Sequence, residues 1–284
     1  MLDLLTSAHR YLRDKGIASA RLDAELLLGH SLGLDRVGLF CAFDRPVRDD
    51  EQRSLHAFVR RRASGEPVAY ITGKRDFWTL TLEITPGVLI PRPDTEVLVE
   101  RALAFLRALP GARPRVFDIG TGSGAIALAL AAELPHLDVV ALDASQQACA
   151  CASSNARRLD LAGRVCVVRG RFPDDRLREA PFDLIVSNPP YIARGAVEDL
   201  APDIRDFEPR EALDGGEDGL DAYRCWIPQC ASLLLPGGAL MLETGHGQAE
   251  AVSALIEATG EFSGMEIVRD YAGCDRVVMC RRAV

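Results

Sequence analysis

The amino-acid sequence predicts an α/β protein in which a small helical domain precedes a doubly wound, mostly parallel sheet. Short apolar runs alternate with amphipathic stretches of about 10–15 residues from Thr95 onward, the pattern of strands joined by right-handed crossover helices. A glycine-rich turn, DIGTGSG, stands where the first of those runs gives way to a helix. The first seventy or so residues carry helical periodicity instead. At 284 residues the chain has room for two ordinary domains.

In RLDAELLLGHSLG, Leu22, residues 25–28 and Leu32 recur at helical spacing, and Gly33 makes a stop. A second helix is expected over residues 50–63, capped by Asp49 or Asp50, with Leu55, Phe58 and Val59 on one face. Its other side carries Arg53, Arg60, Arg61 and Arg62, read as a solvated face or as a docking face for an acidic or RNA-associated partner. Between residues 73 and 91 the period becomes two. Phe77, Trp78, Leu80, Leu82 and Ile84, with a turn at Pro86 and Gly87, predict a β-hairpin linking two domains. The expected organisation is a helical domain over 1–73, a hairpin linker over 74–91 and the α/β domain over 92–284.

Within that last part, VLVERALAFLRAL reads as a helix ended by Pro110 and Gly111. RVFDIG, DVVALDAS, RVCVVRG, FDLIVSNPPY, GGALMLETG and DRVVMCRR read as strands. AIALALAAEL, SQQACACASSNARRL and VSALIEATG read as helices.

The composition, 48% hydrophobic and 26% charged, is that of a globular protein. The formal charge of −8 gives no general attraction to phosphate backbones, so no direct nucleic-acid partner is expected. Eight cysteines are scattered without a C-x-x-C pair or a histidine at zinc-ligand spacing, so no metal is expected and free thiols in a reducing cytoplasm are. The opening MLDLLTSAHRYLRDKG lacks a signal-peptide pattern. The longest apolar stretch, 125–132, is far short of the roughly 20 residues of a membrane span. A cytoplasmic protein without membrane association, acting as a monomer, is expected.

Two segments carry chemistry. In Asp118-Ile-Gly120-Thr121-Gly122-Ser123-Gly124 the glycines let the backbone turn tightly and approach a ligand, and the following helix offers free N–H groups. About 25 residues on, Asp143 ends the second strand, where a carboxylate can accept both ribose hydroxyls of an adenosine. Gly120, Gly122 and Ala125 also satisfy the G-x-G-x-x-A form of a nicotinamide dinucleotide site, so this turn implies a nucleotide cofactor without naming it.

Asn188-Pro189-Pro190-Tyr191 follows another apolar strand, at the sheet edge where ligands bind. Consecutive prolines make the segment rigid and leave carbonyls free as acceptors. A planar –NH2 group has two hydrogens and a poorly nucleophilic lone pair. Asn188 Oδ1 and the Pro189 carbonyl can hold both hydrogens while the Tyr191 ring stacks on the plane, aiming the nitrogen at an electrophile. The sulfonium methyl of S-adenosylmethionine is that electrophile. By themselves these residues leave adenine and glutamine open as the methylated group. His246, in TGHGQ after a strand end, is a weaker pocket candidate, and Lys74 and Ser187 lack a partner that would make them nucleophiles.

The NPPY segment is similar to the [N/D]PP[Y/F] motif of amino-methyltransferases. More narrowly, the chain resembles the PrmC/HemK family, which methylates the glutamine of the Gly-Gly-Gln loop of class I peptide chain release factors. GEPVAYITGKRDFW (65–78), VLIPRPDTEVLVE (88–100), FDIGTGSGAIALALA (117–131), FDLIVSNPPYI (182–192) and FEPREALDGGEDGLDAYR (207–224) carry the resemblance. IPRPDTE and LDGGEDGL are its most specific parts, because nucleic-acid amine methyltransferases share NPPY but not these two.

The resemblance implies a Rossmann-like class I S-adenosylmethionine-dependent methyltransferase domain with a mostly parallel seven-stranded sheet. It implies S-adenosyl-L-methionine as cofactor and S-adenosyl-L-homocysteine as product. It places cofactor contacts at Asp118, Gly120, Thr121, Gly122, Ser123, Gly124, Asp143, Phe172 and Asn188. Catalysis and glutamine binding fall to Asn188, Pro189, Pro190 and Tyr191, with Arg92 and Glu96 against the same pocket. Arg171 and Phe172 stand where relatives often have an acidic residue before an aromatic, and Phe172 is expected to stack on adenine. Acidic residues outnumber Arg205 and Arg210 from 198 to 221, which would repel DNA and admit a basic-flanked protein loop. A nucleic-acid adenine amino-methyltransferase and an NAD-dependent oxidoreductase are the competing readings.

Overall fold

Apolar residues three and four apart commit the first helices to a shared core. In the computed structural model, which describes residues 1–42, 44–109, 113–173 and 181–283, the chain divides into two units. The expected stop at Pro110 and Gly111 lies outside the described residues.

The first unit comprises Met1–Lys74 and Ala201–Phe207. Its helices α1 (Leu2–Asp14), α2 (Ala20–Leu32), α3 (Arg36–Cys41), α4 (Asp49–Ala63) and α5 (Val68–Thr72) bury Leu5, Leu12, Leu27, Leu28, Leu39 and Leu55 together. Leu22 stays largely exposed. Neither Asp49 nor Asp50 caps α4. The cap residue is Arg48, whose backbone N–H donates to Glu51 Oε2 at 3.0 Å, so the acid one turn in does the work instead. The arginine face of α4 is also not uniformly solvated. Arg62 is buried, its Nε donating to Asp23 Oδ2 at 2.7 Å and its Nη2 reaching Asp203 at 3.2 Å. No local pattern discloses either partner, because both lie far away in the sequence.

The second unit comprises Arg75–Leu200 and Glu208–Val284. Strands β1 (Lys74–Phe77) and β2 (Leu80–Glu83) pair as a hairpin. Its turn falls at Trp78 and Thr79, not at Pro86 and Gly87. Trp78 takes a φ of +55°, and its N–H donates to Glu96 Oε1 at 2.9 Å while its indole donates to Glu133 Oε1 at 3.0 Å. Tertiary hydrogen bonds thus hold a turn that turn propensity would not choose.

The chain continues through α6 (Glu96–Ala108), β3 (Arg115–Ile119), α7 (Ala125–Glu133), β4 (Asp138–Asp143), α8 (Gln146–Arg158), β5 (Val165–Arg169) and β6 (Phe182–Ser187). It contributes the short helix α9 (Pro202–Arg205) to the first unit, then forms α10 (Asp221–Leu233), β7 (Leu234–Glu243), α11 (Ala249–Glu257), β8 (Phe262–Arg269) and β9 (Asp275–Arg282). Among the described residues the main sheet has seven strands in the order β5-β4-β3-β6-β7-β9-β8. β3 to β7 run parallel, whereas β9 is antiparallel to both β7 and β8. β8 and α10 carry no clear signal in the sequence. FSGMEIVR is a mostly exposed edge strand, and α10 holds Pro228 within it.

The core sits on both faces of β3, β6 and β7. Phe117 stacks on Phe182 with centroids 5.1 Å apart, and both are fully buried. Each such ring contributes about 1.5–3 kcal/mol through burial. Helix α7 is apolar all round because Ala125 through Ala131 are buried on every side.

Register fixes what meets at the sheet edge. Ile119 is paired with Leu142 on one side and Ser187 on the other, and Ser187 is paired with Leu242. The next residue of each strand is therefore Asp143, Gly120, Asn188 and Glu243, side by side along the carboxyl edge.

Candidate active site

The glycine turn follows β3 directly. Gly120, Gly122 and Gly124 all have positive φ, and a Cβ at Gly122 would meet nothing within 4 Å. Added at Gly120, it would find only the Trp226 ring at 3.9 Å. The backbone is bare where a ligand would approach. Asp118 lies fully buried beneath the turn, with Oδ2 accepting from the Thr121 hydroxyl at 2.6 Å. Its Oδ1 forms no hydrogen bond of good geometry among the described residues. Burial raises its pKa to about 7, against the lowering effect of the Thr121 hydroxyl and the Ala127 N–H. Ser123 is buried too, and Gly124, at positive φ, packs against Leu128 and Ala152, so a Cβ there would be strained and would have to displace the Leu128 side chain.

Asp143 faces the turn. Its Oδ2 accepts from the Gly122 N–H and its Oδ1 from the Ser145 N–H, both at 2.8 Å. Two backbone donors orient the carboxylate, and each oxygen keeps a lone pair for a hydroxyl. Phe172 is buried, edge-on to Phe117 at 5.6 Å and to Trp226 at 6.3 Å, so it forms a wall of the core beside the turn. Arg171 is exposed. Bare glycines and an oriented carboxylate suit an adenosine-bearing ligand.

Asn188 continues β6. Its Nδ2 donates to Thr95 Oγ1 at 3.1 Å, which turns Oδ1 away as the available acceptor. Pro189 is buried and Pro190 half-buried. The Tyr191 hydroxyl donates to Glu243 Oε1 at 3.4 Å. Burial first, and the Glu243 charge second, push the phenol up to about 12, so it is a donor at any working pH. Glu243 is itself fully buried and raised to about 7, chiefly by desolvation, with the Thr95 hydroxyl and Arg276 opposing the shift.

LDGGEDGL has a mechanical task here. Gly215 donates to the Ile192 carbonyl at 2.8 Å, and Ile192 donates back to Leu213 at 3.0 Å. A Cβ on Gly215 would come within 2.6 Å of the Pro190 carbonyl oxygen, and one on Gly219 would strike the Tyr191 carbonyl. Gln248 Nε2 completes the clamp, donating to Tyr191 O at 2.9 Å. IPRPDTE plays a related part. Arg92 pairs with Glu208 at 2.5 Å and Glu96 receives the Trp78 N–H, so these two side chains brace the loop while Thr95 is the one that reaches Asn188.

Thr95, Glu243, Gln248 and the backbone role of Gly215 were not legible as site features, although IPRPDTE and LDGGEDGL mark two of them. His246 is exposed. Many of the acids between 198 and 221 are matched by arginines: Arg210 by Glu198, Arg194 by Asp214, Arg224 by Asp218 and Arg62 by Asp203. The excess of negative charge there is smaller than the sequence run implies. Among the described residues no helix is long and apolar enough to cross a membrane.

The fold is that of the Rossmann-like S-adenosylmethionine-dependent methyltransferases. A methyltransferase from Pyrococcus furiosus superposes with a TM-score of 0.51 at 18% identity, covering 81% of this chain and 98% of that one. The chain belongs to the release factor glutamine methyltransferase family. A release factor glutamine methyltransferase of Geobacter sulfurreducens is 49% identical over 94% of this chain and 92% of its own length. That of Bradyrhizobium diazoefficiens is 44% identical over 95% and 91%. The PrmC N-terminal domain matches residues 3–73, and the methyltransferase small domain matches residues 98–204. The nicotinamide reading of the glycine turn is not favoured by these relatives.

Proposed function

We propose that this chain transfers the methyl group of S-adenosyl-L-methionine to the side-chain amide nitrogen of the glutamine in the Gly-Gly-Gln loop of class I peptide chain release factors, in the cytoplasm, leaving S-adenosyl-L-homocysteine. The relatives that share nearly its whole length bear the corresponding name. The observation that carries the chemistry is the orientation of Asn188. With Nδ2 bound to Thr95, its Oδ1 and the neighbouring Pro189 carbonyl are two acceptors for the two hydrogens of an amide.

The cofactor, when bound, supplies an electrophilic methyl on a sulfonium. Asp118, residues 120–124 and Asp143 are the residues that would hold it, with Phe172 and Trp226 walling its adenine side. Asn188 and Pro189 hold the amide nitrogen in line, and the Tyr191 ring covers the amide plane. As the new N–C bond forms, positive charge develops on nitrogen and both acceptors stabilise it. The methyl's bond to the sulfonium breaks as the N–C bond forms, and the nitrogen then gives up one proton to water. The helical unit, residues 1–73 in the family match, serves as the docking domain for the protein substrate.

Incubation of the enzyme and cofactor with a release factor, followed by mass spectrometry of the digest, should find one methyl group on the loop glutamine. Methylation of DNA or RNA adenine with release factors left unmodified would assign the site to the other planar amine.

A further inference from the structure

We infer that Glu243 is a positioning residue for this reaction: through the Thr95 hydroxyl it fixes which end of the Asn188 amide faces the substrate, and through the phenol it fixes Tyr191. The inference rests on the glutamine-methylation reading and deepens it.

Burial of the Glu243 carboxyl carries a desolvation cost, which raises its pKa. The residue ends β7 in full burial, where a carboxyl is costly to desolvate, and its Oε2 forms no hydrogen bond of good geometry among the described residues. Its place is nonetheless fixed, because the Tyr223 hydroxyl donates to its backbone carbonyl at 2.7 Å. Two side-chain hydroxyls act on its carboxyl as donors, those of Thr95 and Tyr191. Arg276 and Asp94 are the other charged groups that face it.

The hydrogens can be followed one by one. A threonine hydroxyl has a single hydrogen. Thr95 Oγ1 accepts from Asn188 Nδ2 at 3.1 Å, so its own hydrogen is directed to the Glu243 carboxyl. With the Glu243 carboxyl ionised, and so acceptor only, the chain has one polarity, from amide N–H to hydroxyl to carboxylate, and Asn188 Oδ1 is left facing the substrate. Without the carboxyl, the Thr95 hydroxyl is free to turn and donate to Asn188 Oδ1. The amide then flips and presents –NH2 to the –NH2 of the substrate. Donor against donor both loses a hydrogen bond and repels the nitrogen from its in-line position.

The experiment compares Thr95→Val, Thr95→Ser, Glu243→Leu and Glu243→Gln with the wild type, using a release-factor glutamine-loop domain as substrate. Thr95→Val and Glu243→Leu should lower kcat by about tenfold or more, with the KM for cofactor and the Kd for S-adenosylhomocysteine within about twofold. Thr95→Ser keeps the hydroxyl and should recover most of the rate. By NMR, the Asn188 side-chain amide protons should exchange faster in Thr95→Val than in wild type. If the wild type methylates the loop but Thr95→Val keeps kcat within about twofold, the inference is wrong. It is equally wrong if the Asn188 amide exchanges at the wild-type rate. A wild type inert toward release factors would overturn the substrate reading instead, and the exchange measurement would still decide the relay. If the Glu243 variants fail to fold, the two Thr95 variants carry the same decision.

Discussion

Glu208 takes the Arg92 guanidinium at 2.5 Å and the Ile90 backbone N–H at 3.1 Å on a carboxylate that is almost wholly buried. One acid from FEPR thereby anchors the start of IPRPDTE, the loop that delivers Thr95 to Asn188. Glu208→Ala leaves Arg92 and a buried N–H unmatched, at a cost of about 3 kcal/mol. A domain of this size should then melt roughly 6–12 °C lower by calorimetry. A shift below about 2 °C would show that the pair contributes little.

Asn188→Ala removes one of the two acceptors for the amide hydrogens. Loss of one preorganised partner of the transition state lowers kcat by about 10²–10³. Asp143 and the glycine turn are untouched, so binding of S-adenosylhomocysteine, measured by titration calorimetry, should largely persist. Loss of binding in parallel with rate would place Asn188 on the cofactor instead.

Gly215→Ala tests the clamp on the NPPY backbone. Gly215 does not take a positive φ, so the effect is steric: the new Cβ would lie 2.6 Å from the Pro190 carbonyl oxygen and 2.9 Å from Tyr191 Cα. The backbone that carries the acceptors has to move, and a displacement of about 1 Å is enough to cost about 10²-fold in rate. Gly163→Ala, where a Cβ meets nothing within 4 Å, is the control and should change stability by less than about 0.5 kcal/mol. Equal kcat in the two variants would rule the clamp out.

These residues also show where sequence reading stops. The strands around Phe117, Leu142, Ile185 and Leu240 were legible because buried parallel strands are short, nearly continuous apolar runs bounded by turns. Asp143 and Asn188 were legible because both stand where such a run ends. Glu243 stands at a run's end as well, but a lone glutamate there has no spacing that distinguishes it from a solvated one. Its meaning comes from Thr95, about 150 residues away in the chain, in the turn before α6, and brought near only by the tertiary fold. The hairpin turn at Trp78 and the pairing of Arg62 with Asp23 were missed for the same reason. Each depends on a partner that local periodicity cannot name.

Glu243 should also leave a signature in the pH dependence of stability. Its carboxyl titrates near 4.5 when exposed and is raised to about 7 in the fold, chiefly by burial and further by Asp94, against Thr95, Arg276 and Tyr191. Between those two values the folded protein holds a proton that the unfolded chain has released. Stability therefore falls as pH rises through this window, and is level above about 7, where both states are ionised, and below about 4.5, where both are protonated. Glu243→Gln has no such proton to lose. Its unfolding free energy minus that of the wild type should climb from about pH 4.5 to 7, by an amount on the order of a few kcal/mol, and then stay flat, and the difference in melting temperature should follow the same course. Asp118 shifts in the same direction but is present in both proteins, so it cancels in the difference. The measurement is thermal unfolding of both proteins without cofactor across that range. A difference independent of pH would mean that Glu243 ionises in the fold as it does in water.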